Sequence, residues 1–134
     1  MTIPTGTILY HGRYDDVEPT TLEWLALNFE LSRLFCGEDC FVLSYIAMRP
    51  LRLVYFDGSS ASKMLDGTLD AQNVLVWGTS RPEQCRQDTV RIKWFCDEWG
   101  QQFGLDGVVR MEPDLYVLRY YSKRRQKFMP FVRQ

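Results

Sequence analysis

Apolar residues fall in short runs separated by glycine, proline or charge. Residues 7–10 favour a strand, which His11-Gly12-Arg13 stops, and residues 14–19 read as a polar connector. Leu22, Leu25, Leu27, Leu31 and Leu34 then recur at helix-like spacing. Residues 21–35 therefore read as an amphipathic helix, capped by Thr20 or Thr21 and ended near Gly37. Residues 41–48 and 51–56 read as two strands broken by Arg49-Pro50. Residues 61–67 fit a short helix, and residues 73–77 a third strand or short buried segment. Residues 81–103 look helical, with Cys85, Val90, Trp94 and Trp99 toward one side and Gly104 as the stop. Residues 108–111 and 115–121 read as strands on either side of Pro113, the second closing the fold. This order predicts the α+β class: small mixed or antiparallel sheets with two to three helices.

Composition narrows the class. With 134 residues, 46% hydrophobic and 25% charged, the chain is expected to form one globular domain that needs no staples. The net charge is −1, which excludes a uniformly basic nucleic-acid binder. The charge is uneven, however. Residues 123–134 hold Lys123, Arg124, Arg125, Lys127 and Arg133 and no acid, so residues 1–122 carry −6. The expected division is a domain over 1–122 and a basic tail over 123–134. Through Lys123, Arg124, Arg125 and Lys127 that tail is a candidate phosphate or nucleic-acid contact, or else a solvated end.

Cys36, Cys40, Cys85 and Cys96 form no Cys-x-x-Cys pair, and the single histidine does not complete a zinc set. No metal is expected. Residues 1–6 lack a secretory leader, and no apolar run reaches the ~20 residues of a membrane span. A cytoplasmic location, with free and mostly buried thiols, is the expectation.

Several segments carry candidate chemistry. His11 beside Gly12 offers a polar side chain together with bare backbone that could read an amide, or it is a plain turn. Ser59 and Ser60, in the turn after the 51–56 strand, could hold a phosphate with Lys63; the same residues also suit a capped short helix. Asp70 and Gln72 stand two apart, so extended backbone would aim both the same way. Glu112 and Asp114 would likewise share a face near Arg110. Such paired carboxylates serve acid–base work or stabilise a cation, and equally well form surface ion pairs.

Three segments in order resemble the ADP-ribosyltransferase-like superfamily. Leu9-Tyr10-His11-Gly12 is similar to the first-strand His-Gly of the branch that holds diphtheria toxin and the poly-ADP-ribose polymerases. Residues 23–26 leading into 29–35 look like its strand-then-helix segment, and Gly104 to Val109 like the approach to its catalytic glutamate. The set also resembles a family of uncharacterised fungal proteins. The superfamily resemblance implies NAD as substrate and an oxocarbenium-like transition state as nicotinamide departs. Glu112 would be the ribose-binding catalytic residue, with Asp114 beside it and His11 on a ribose hydroxyl. Gly12 would grip the nicotinamide amide, flanked by Tyr10 and Arg13. Tyr45 and Tyr55 compete for the stacking tyrosine, and Ser59, Ser60, Asp70 and Gln72 complete the nucleotide contacts. Two other functions compete: a transferase on an activated or tRNA-linked substrate, as in cyclodipeptide formation, and a non-catalytic nucleotide-binding module.

Overall fold

Glycine and proline punctuation sets most strand ends in the computed structural model, which describes residues 1–17, 23–56, 70–84, 87–112, 115–120 and 128–130. Among these residues eight strands form: β1 (Thr2–Ile3), β2 (Ile8–Arg13), β3 (Glu23–Ala26), β4 (Phe41–Ala47), β5 (Leu51–Phe56), β6 (Gly107–Glu112), β7 (Leu115–Tyr120) and β8 (Phe128–Pro130). They lie side by side in the order β1-β5-β6-β7-β3-β2-β4-β8. The β5–β6 pair is parallel, and the other pairs are antiparallel. The helices are α1 (Phe29–Leu34), α2 (Asp70–Trp77) and α3 (Asp88–Trp94). α3 runs on into a π-type turn at Phe95–Trp99 and a 3-10 turn at Gly100–Phe103. The mixed sheet with few helices agrees with the α+β expectation.

Four local readings need correction. The helix expected over residues 21–35 is instead β3 followed by the shorter α1. Asn28 divides them: its extended backbone leaves the strand, and its side chain accepts from the Glu30 N–H to start the helix. The segment 73–77 is not a strand. It is the body of α2, whose first turn is made by Asp70, Ala71 and Gln72. His11-Gly12-Arg13 does not stop the first strand but lies within β2, bonded throughout to β4. Finally, β7 does not close the sheet, because β8 pairs with β4 through Ala47↔Phe128.

The sheet cannot be flat. β4 and β5 stand five places apart in it, ~24 Å at the usual strand spacing. Only residues 48–50 join them, and from Ala47 to Leu51 even extended chain spans at most ~14 Å. The sheet therefore curls, so that Leu9, Leu25, Tyr45, Leu53 and Val109, from five different strands, meet in one buried cluster. Burial of this apolar surface, at about 25 cal/mol per Å², is the main force holding the curl.

The outer face carries two smaller packings. α1 sets Leu31 on Ala26, with Trp24 alongside. The π-type turn after α3 sets Phe95 on Phe56 and Val108, with Val76, Trp94 and Trp99 around them. Asp106 fastens the inner turn. Its carboxylate accepts from both arms of the Arg49 guanidinium and from the Arg52 N–H at 2.9 Å. The Asp106 N–H in turn donates to the Arg52 carbonyl at 2.7 Å, so the start of β6 is tied to the start of β5.

Candidate binding site where β2 parts from β3

β2 is paired unequally on its two sides. With β4 it is bonded from Ile8↔Ile46 to Arg13↔Phe41. With β3 it pairs at Tyr10↔Ala26 alone, among the described residues. Past that pair the described ladder stops, and the side chains of His11, Trp24 and Glu23 lie together there.

His11 is the buried centre, only 2% exposed. Its ring lies edge-on to Trp24 with centroids 4.9 Å apart, and Trp24 in turn meets Phe35 at 4.8 Å. His11 Nε2 stands 3.6 Å from Glu23 Oε2, an ion-pair distance and not a direct hydrogen bond. Glu23 Oε1 is 3.6 Å from Arg13 Nη1, and Arg13 donates to both carboxylate oxygens of Asp15, at 2.6 and 3.3 Å. The four groups form a chain from buried imidazole to exposed rim.

Burial pushes the His11 pKa below the ordinary histidine value. Glu23, the Trp24 backbone and Asp15 oppose that shift and Arg13 adds to it, but burial wins. The imidazole is thus neutral near pH 7, with one nitrogen a donor and the other an acceptor. Nδ1 is buried with no hydrogen-bond partner. Its bonding capacity is unspent, at a cost of about 1–3 kcal/mol for a group of this kind. At the rim the hydrogen bonds from Arg13 hold Asp15 below the usual carboxylate range, and Asp15 raises Arg13 in return.

The expected site residues do not all gather here. His11 and Arg13 do, two apart on β2 and therefore on one face. Gly12 serves a different neighbour. A Cβ there would lie 1.9 Å from the Ser32 carbonyl oxygen and 2.6 Å from Cys36 Sγ, so α1 fills the space beside its backbone. Tyr10 points to the same helix and meets Phe29 edge-on. Tyr45 is buried in the main core, and Tyr55 lies on β5, four places from β2. Gln72 is buried, and Asp70 and Gln72 lie in the first turn of α2, not in extended backbone.

Glu112 ends β6, three places from β2. The row Tyr10, Ala26, Val117, Arg110 crosses the four strands. Glu112 lies two residues from that row on one side and His11 one residue from it on the other, so their backbones do not converge. Asp114, Ser59 and Ser60 lie outside the described residues, as do Lys123, Arg124, Arg125 and Lys127. Glu23 is the carboxylate that sequence reasoning missed. It falls within the helix expected over residues 21–35, and the two-residue spacing of Leu25 and Leu27 is the signal for a strand there.

The expected free thiols need correction too: Cys36 and Cys40 form a disulfide. Cys96 is free and buried, and burial, with Asp97 and Asp106, pushes its thiol up to about 12. Among the described residues no three metal-ligating side chains gather, and no helix is long and apolar enough to cross a membrane.

Fold and site together define an α+β domain on a curled mixed sheet, with a buried histidine beside a carboxylate where two strands part. Residues 36–119, more than half of the chain, match the YPL277C N-terminal domain, and the chain belongs to that family. It is 27% identical to Uncharacterized protein YOR389W and 26% to Uncharacterized protein YPL277C, both of Saccharomyces cerevisiae. Each alignment covers 87% of this chain, and 26% and 34% of the two relatives. The chain thus spans about a quarter to a third of the length of these curated relatives. No solved structure matches. The fungal family resemblance holds, and His11, Arg13 and Glu23 precede the matched stretch.

Proposed function

We propose that this domain is a nucleotide-binding module that takes an NAD-type dinucleotide where β2 parts from β3. One observation carries the reading: a buried, neutral His11 with Nδ1 unpartnered and Glu23 at its other nitrogen. A ribose hydroxyl both donates and accepts, which suits a neutral imidazole beside a carboxylate. Arg13 adds a guanidinium at the rim, where it offers N–H groups beyond the two engaged by Asp15.

Cleavage of the nicotinamide–ribose bond would be the stronger form of the same reading. It needs a carboxylate beside the ribose to stabilise the cation that develops as nicotinamide departs. Within this reading Glu23, and not Glu112, takes that role, because Glu23 is the acid beside His11. Isothermal titration with NAD, followed by mass spectrometry for released nicotinamide, tests both forms. Saturable binding that His11→Ala weakens about tenfold or more is the expected result. Nicotinamide release that Glu23→Gln slows by roughly 10²–10³, with Glu112→Gln near wild type, would establish catalysis. An absence of NAD binding would sink the reading altogether.

A further inference from the structure

The Cys36–Cys40 disulfide sits against the strand that carries His11. Cys36 follows the end of α1, Cys40 precedes β4, and both are half-buried. Three contacts lead from this pair to the site. Cys36 Sγ lies over the backbone of Gly12, the residue between His11 and Arg13. Phe35, next to Cys36, packs at a tilt against Trp24, which meets the His11 ring edge-on. Phe41, next to Cys40, begins the β4 ladder opposite Arg13, and Leu43 stands opposite His11.

Carbonyl oxygens stand near both sulfurs. As a thiol, Cys36 has the Ser32 and Arg33 carbonyl oxygens at 3.5 and 3.6 Å, and Cys40 has the Phe41 carbonyl at 3.7 Å. These are acceptors that a disulfide cannot use and that an S–H can.

We propose that Cys36 and Cys40 are a reversible thiol–disulfide modification site whose state sets the packing around His11. A dithiol reductant supplies the electrons. One of its thiolates attacks a sulfur of the Cys36–Cys40 bond and forms a mixed disulfide. Its second thiol closes that disulfide, leaving an oxidised cyclic dithiol, and two protons end on Cys36 and Cys40. Bonded sulfurs lie about 2.05 Å apart, and thiols cannot stay so close. Gly12 blocks Cys36 on one side, so Cys40 and the head of β4 must move away. That movement loosens the ladder opposite Arg13 and admits water to His11. The coupling holds whichever ligand the opening takes.

The chain has one histidine, so its ring C–H NMR signals report the site without overlap from another histidine. The groups facing it are Glu23 from β3 and Arg13 and Asp15 from β2 and the turn after it. In the full chain, treatment with dithiothreitol is expected to shift the His11 titration upward, because burial is what holds it down. Cys40→Ser should show the shifted titration with or without the reductant. Cys85→Ser combined with Cys96→Ser should keep the response. An unchanged titration in wild-type protein, with alkylation and mass spectrometry showing that the disulfide has opened, would overturn the coupling. Alkylation of both Cys36 and Cys40 in oxidised protein would overturn the pairing. Both readouts use wild-type protein, so they decide the matter even where a variant does not fold.

Discussion

Gly12 and Gly100 are small for the same reason. A Cβ at Gly100 would lie 2.0 Å from the Phe95 carbonyl oxygen, much as one at Gly12 would strike that of Ser32. In both cases backbone, not a yielding side chain, blocks the space. Gly12→Ala and Gly100→Ala should each lower stability by about 1–3 kcal/mol in urea denaturation. Gly12→Ala should also disturb His11, its neighbour. His11 itself makes stability depend on pH. Its folded pKa lies below its unfolded value of 6.5, so the unfolded chain binds the extra proton. Stability is then full above the unfolded value and falls as pH drops from there toward the depressed folded value. The urea midpoint should therefore fall between about pH 7.5 and pH 5.5. His11→Gln should flatten that slope.

At the level of elements, Asp106 is the joint to test. It binds Arg49 and Arg52 in a single turn and so fixes where β6 starts beside β5. Burial alone would raise its pKa, but the hydrogen bonds from Arg49 and the Arg52 backbone outweigh that and hold it low. Its contribution is present above the unfolded value of 3.8 and is lost as pH falls through the lower folded one. Asp106→Asn should cost about 1 kcal/mol, modest because Arg49 is mostly in water, read as a shift of the urea midpoint. Arg49→Lys, which loses the two-armed grip, should cost part of that.

Elements were legible where chemistry and spacing agreed. The runs around Val42, Leu53, Val109 and Leu118 are strands, as their β-branched and aromatic content predicts. The reading failed where one leucine series served two structures. Leu25 and Leu27 are spaced for a strand, and Leu31 and Leu34 for a helix, yet pooled they mimic one long helix. Val74 to Trp77 is a short apolar run, which periodicity alone does not assign. Of the site, His11 and Arg13 were visible because they flank a glycine in one strand. Glu23 was not, because only the pairing of distant strands brings it to His11.

For the whole molecule, the division between domain and basic tail becomes a question of sheet edges. β8 falls within residues 123–134 and covers β4 through Tyr45↔Pro130, Ile46↔Met129 and Ala47↔Phe128. Deleting residues 123–134 should uncover that edge, lower the urea midpoint and promote self-association, measurable by light scattering. The charge asymmetry of the chain thus coincides with a structural role: basic residues precede the strand that protects the sheet.

The β3–β7 ladder, from Glu23↔Tyr120 to Ala26↔Val117, has a consequence for synthesis. β3 leaves the ribosome more than 90 residues ahead of its partner. At cellular rates of ~5–20 residues per second, β3 waits roughly 5–20 s with that flank bare. β4 is already available to pair with β2 during this interval, whereas among the described residues β3 shares only the Tyr10↔Ala26 ladder pair with β2. The partner of the histidine strand is therefore synthesised well before the partner of its neighbour. That interval is when a chaperone would find its binding surface.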